Sequence, residues 1–128
     1  MKISIEVTKG IENLPFGITP EKVRVLMGEP SEVEELENAT DGSVESIVWN
    51  YPNEGLNFFF EAATGEPSLC TIESDNIETW LYGKKVFELD KLQIMSLMKE
   101  HGFSDTEEED ETWGEHRLTF NDAQIDFY

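Results

Sequence analysis

The chain has 128 residues, one domain's length, and its 38% hydrophobic and 11% aromatic content supplies enough apolar surface to exclude global disorder. Its 28 Asp and Glu face nine Lys and Arg, a formal net charge of −19, so nucleic acid and anionic membrane surfaces are repelled and a basic protein is the partner that composition favours. A single cysteine, Cys70, excludes an internal disulfide framework and suits a reducing compartment.

The first residues, Met1-Lys2-Ile3-Ser4-Ile5-Glu6, contain no apolar signal core, and no run approaches the roughly 18 residues that a bilayer span requires. The expectation is a cytoplasmic protein. Thr19 as cap, Pro20 at the first helical position and Gly28 as stop delimit a first helix, with Val23, Leu26 and Met27 expected to face a sheet. An acidic connector follows. Period-two alternation then predicts strands over Val44 to Tyr51, Leu56 to Glu61 and Leu69 to Glu73, separated by the turn residues 52–55 and 64–67, whose shortness implies antiparallel pairing. Leu56, Phe58 and Phe60 share one face of their strand, so Phe59 points to the other and is a candidate contact residue. Cys70, in an apolar strand-like run, reads as a buried structural thiol. Trp80 and Tyr82 fall at a junction and are expected to be partly exposed. Asp90 with Gln93 makes a capping box for a second helix that ends at Gly102, with His101 in its last turn. After the acidic run 105–111, strands are predicted near Thr112 to Glu115, over His116 to Phe120 and over Ala123 to Phe127.

The two halves match at an offset of 71 residues: Phe16, Ile18, Thr19, Val23, Leu26 and Met27 correspond to Phe87, Leu89, Asp90, Ile94, Leu97 and Met98. The fold expected is α+β, a tandem repeat of a short helical segment packed on an antiparallel β-sheet. The copies lie at about 11–75 and 80–128 of one domain spanning 1–128.

The segment Phe16-Gly17-Ile18-Thr19-Pro20-Glu21-Lys22-Val23, followed by Leu26, Gly28 and Pro30, resembles the helix signature of the SmpA/OmlA family, the outer-membrane assembly lipoproteins. Trp49 and Tyr51, Leu56 and Phe58, and Leu69 and Ile72 are similar to that family's strand markers, and the match covers roughly residues 14 to 74. The resemblance implies a helix-on-sheet unit and a scaffold that recognises a folded partner. In tandem, such units are similar in architecture to the beta-lactamase inhibitor proteins, which present a concave surface to another protein, and the small acidic immunity proteins of toxin systems are similar in type.

Candidate chemistry is sparse. His101 and His116 belong to no zinc-ligand or H-E-x-x-H arrangement, no phosphate-binding or nucleophile-elbow motif occurs, and the lone thiol has no partner motif. The run Asp105 to Glu111 offers hard oxygen ligands, yet it lacks the glycine and spacing of a calcium loop, so a solvated connector or strand, or a partner-facing patch, is favoured over a metal site. No catalysis, cofactor or metal is expected. The function expected is a non-catalytic protein-binding module, an inhibitor or immunity-type protein that captures a basic partner such as a toxin domain. The alternatives are an SmpA/OmlA-like assembly scaffold and a small-ligand-binding domain or enzyme. Glu107, Glu108, Glu109, Asp110, Phe59, Trp80 and Tyr82 are the expected partner-binding residues.

Overall fold

A computed structural model describes residues 2–37, 44–61, 66–110, 114 and 116–128. They form a mixed α+β structure of three sheets and two α-helices.

The central sheet starts with β1 (Ile3–Glu6), β2 (Gly10–Ile11) and β3 (Leu14–Pro15), which pair antiparallel in succession. Helix α1 (Pro20–Met27) follows and ends at Gly28, whose φ of 83° lies where glycine is favoured. Strands β4 (Glu32–Glu37), β5 (Val44–Tyr51), β6 (Leu56–Glu61) and β7 (Ser68–Ser74) make an antiparallel meander, the large sheet. The chain then returns to the centre. β8 (Thr79–Leu81) lies parallel to β1 and antiparallel to β9 (Lys84–Lys85), giving the order β3-β2-β1-β8-β9. A single 3-10 turn (Val86–Glu88) leads to α2 (Lys91–Glu100), and β10 (Thr106–Asp110), β11 (His116–Phe120) and β12 (Ile125–Phe127) form a small antiparallel sheet.

Each helix thus sits between a tight hairpin of the central sheet and a meander of its own, and each meander builds a core. Val23 of α1, Trp49, Tyr51, Phe58 and Phe60 form the first; Ile94, Leu97 and Met98 of α2 with Leu118 and Phe120 form the second. Ile5 of β1 packs against both. The alternation that predicted β6 holds: Leu56, Phe58 and Phe60 are buried, whereas Asn57 and Phe59 are half-buried on the other face. Asp90 and Gln93 form the expected capping box, with Gln93 N–H donating to Asp90 Oδ1 at 2.8 Å and Asp90 N–H to Gln93 Oε1 at 2.9 Å.

Several expectations are corrected. Leu26 does not face the sheet: it is 55% exposed, while Leu97 at the matching position is 8% exposed. The eight-residue α1 meets its sheet along the narrower stripe of Val23 and Met27, and the Arg24 guanidinium lies 5.1 Å from the Trp49 ring centroid. The acidic connector after α1 contains the edge strand β4 rather than irregular chain, whereas the acidic run after α2 forms the edge strand β10, one of the two forms expected for it. Ala123 is not in a strand; it is fully buried in the turn before β12. The strand expected near Thr112 to Glu115 lies outside the described residues apart from Gly114, as does Trp113.

Candidate functional site

A groove of about 1320 Å³ takes its lining from all three sheets. Strand β7 contributes Thr71 through Ser74, with Asp75 after it, and β12 contributes Ile125 to Phe127, flanked by Gln124 and Tyr128. Both are the last strands of their sheets. Ile3 and Ile5 of β1, with Val7, supply apolar floor. The volume exceeds the ~300–1,000 Å³ usual for small-molecule pockets.

Strand register explains how the large sheet reaches this groove. Glu32 pairs with Asn50, Asn50 with Asn57 and Asn57 with Glu73, so these four residues stand in one row across β4 to β7, and all four line the groove. The next row holds Glu34, Val48, Phe59 and Thr71. Phe59 is therefore one row from the groove, on the face opposite the core. Gly55, in the turn between β5 and β6, lets Asp75 and Asn76 come close: a Cβ there would stand 2.6 Å from Asp75 Oδ1 and 3.0 Å from Asn76 N. The loop that closes β7 is held by Asn76, whose Nδ2 donates to Glu54 O at 2.7 Å and whose Oδ1 accepts from Glu78 N–H at 2.8 Å. Thr79, 2% exposed, satisfies its hydroxyl on Asn76 O and Ser74 Oγ, both at 2.7 Å.

Charge in the groove is of one sign. Among the described residues its lining includes Glu6, Glu32, Glu73, Asp75 and Asp126, and no Lys, Arg or His. With apolar floor beneath them, these carboxylates form a surface that attracts cations while offering apolar contact area.

The acidic run has a different role. Glu108 accepts hydrogen bonds from Lys91 at the start of α2 and from His116 Nε2 at 3.2 Å, Asp110 contacts His116 Nδ1 at 2.8 Å, and Glu109 pairs with Arg117. Three of the four expected partner-binding acids thus contact basic side chains of their own chain. The Lys91 and His116 contacts hold the Glu108 carboxyl below its ordinary range, and the two carboxylates beside His116 raise its imidazole. Glu107 has no such contact among the described residues.

Trp80 and Tyr82 are both half-buried, as expected. Trp80 pairs with Ser4 and Lys85, and the amines of Lys2 and Lys85 lie 4.7 and 5.6 Å from its ring centroid. Tyr82, in a β-turn with φ of 49°, stacks on His101 with centroids 3.6 Å apart. Neither lines the groove, nor does the run Glu107–Asp110. Cys70 is half-buried rather than buried, because it sits at a bulge of the edge strand β7, and its thiol donates to Phe59 O at 3.3 Å. Among the described residues no group of three or more His, Cys, Asp or Glu side chains could hold a metal ion.

Sequence reading missed Glu6, Glu32, Glu73, Asp75 and Asp126 as site residues because they are five acids among 28. The alternation around Ile72 gave the one available signal, since it sets Thr71 and Glu73 on the face of β7 opposite the core. No protein family, curated protein or solved structure matches the chain.

Proposed function

We propose that this chain is a non-catalytic protein-binding module of inhibitor or immunity type that captures a basic partner in the groove flanked by β7 and β12. The observation that carries this reading is the lining, which among the described residues combines five carboxylates with apolar floor and holds no basic residue. Such a surface raises the encounter rate with a cationic protein and then excludes water from the contact. The two halves are read as diverged copies of one hairpin–helix–meander unit, supported by their common element order and by the buried pair Val23 and Ile94. An assembly-scaffold role of the SmpA/OmlA kind is supported by the Trp49, Tyr51, Leu56 and Phe58 positions, all buried in the first core.

Affinity capture from the source cell, run in parallel with three baits, tests the proposal. The native chain should retain a basic protein that a Glu73→Lys, Asp126→Lys variant loses, while a variant with Lys at Glu107, Glu108, Glu109 and Asp110 keeps it. Retention by the groove variant and loss by the four-Lys variant would move the site to β10. Inhibition of the captured protein's activity would distinguish an inhibitor from a scaffold.

A further inference from the structure

We infer that the groove takes its basic partner as an extended segment that pairs, as an added strand, with the free edge of β7. The inference rests on the reading that the groove binds a basic protein and specifies how.

The register of β7 identifies the free groups. Asp75 N–H donates to Gly55 O at 3.0 Å, so Ser74 and Leu56 form a pair that exchanges no hydrogen bonds. Two residues earlier Ile72 and Phe58 do likewise, and the backbone N–H and C=O of both Ile72 and Ser74 consequently point away from β6. Among the described residues they meet no backbone partner on that side. The same edge already accepts extended chain further along: Leu69 N–H donates to Ile18 O, and Gly17 N–H donates to Leu69 O, both at 2.8 Å. The bulge at Cys70 separates the occupied part of the edge from the open part.

The surroundings decide what can fill the open part. An added strand sends alternate side chains to opposite faces, so one set would meet apolar floor such as Ile5 and Phe127 and the other the carboxylates. Glu73 and Asp126 select Lys or Arg for that second set. A second copy of this chain is a poor occupant, because it carries the same −19 charge and would bring acids against acids. The carboxylates that keep the edge from self-pairing therefore admit a basic strand.

The test uses the full chain and peptides of about seven residues in which Lys or Arg alternates with Val, Ile or Phe. At least one peptide should bind, slow amide exchange at Ile72 and Ser74, and weaken with Glu73→Lys. N-methylation of its alternate amides in the set facing β7 should reduce affinity roughly tenfold or more, through lost hydrogen bonds, while methylation of the other set changes little. Equal binding by both methylated forms, or by a peptide of the same charge interrupted by proline, would overturn strand addition and leave a basic-protein groove intact. Failure of every peptide, with a cationic folded protein still bound in a Glu73-dependent way, overturns it in the same manner. If no cationic ligand responds to Glu73→Lys, the basic-partner reading fails along with it.

Discussion

At the scale of single residues, the Leu26 and Leu97 positions separate what a helical pattern implies from what packing does. They match in sequence, yet only Leu97 lies in a core. Leu97→Ala should therefore cost about 2–5 kcal/mol, through lost burial and the cavity left behind. Leu26→Ala should cost less than about 1 kcal/mol, because most of that side chain already meets water; chemical denaturation of the two variants checks both. His116 carries a pH dependence. Its folded pKa is raised above the ordinary 6.5 by hydrogen bonds to Asp110 and Glu108, so its contribution to stability is fully present below 6.5 and is lost as pH rises through the higher folded value. Lys91 shares Glu108 with His116, and Arg117 follows His116 on the same strand. The melting temperature of the native chain should contain a component that declines over this window and is absent from His116→Gln. Proton NMR titration of the imidazole gives the folded value directly.

At the scale of elements, the turn between β5 and β6 and the loop after β7 hold the groove end together. Gly55 has φ of 68° and no room for a Cβ beside Asp75 and Asn76. Gly55→Ala should destabilise by about 1–3 kcal/mol, from backbone strain and the displaced loop, and should weaken partner binding by more than the fold loses. Urea titration and binding measured on the folded fraction separate the two effects. Strand β10 shows the opposite case, an element whose charge is spent inside the chain. Its carboxylates tie the small sheet to the start of α2 through Lys91 and to β11 through His116 and Arg117. These exposed pairs contribute little individually, so β10 acts through the register they favour.

At the scale of the molecule, β1 joins the halves, pairing with β2 of one and β8 of the other while Ile5 touches both cores. Unfolding should accordingly be a single transition, with calorimetric and van't Hoff enthalpies in agreement, and two separated transitions would show the cores to be independent. The net charge of −19 adds a second expectation. Stability should rise from about 0.01 M to 0.1 M salt as the Debye length contracts from roughly 30 to 10 Å and self-repulsion is screened. Association with a basic partner should slow over the same range, and stopped-flow kinetics beside thermal melts would show the two effects with opposite sign.

Much of this architecture is written in local pattern. Capping at Asp90, the glycine stop after α1, and the alternation of Leu56, Phe58 and Phe60 each depend on residues a few positions apart, and each appears where the sequence places it. The short strands β1 to β3, β8 and β9 left no comparable trace, because runs of two to four residues are too brief to show a period. The groove was illegible for a stronger reason: its acids come from β1, β4, β7, the loop after β7 and β12, up to 120 positions apart between Glu6 and Asp126. Composition determined that the surface would be acidic and local pattern determined where most of the chain would be strand or helix. Only the tertiary structure decided which carboxylates answer to Lys91, His116 and Arg117 and which remain facing an open strand edge, since that choice depends on through-space distances that no local spacing encodes.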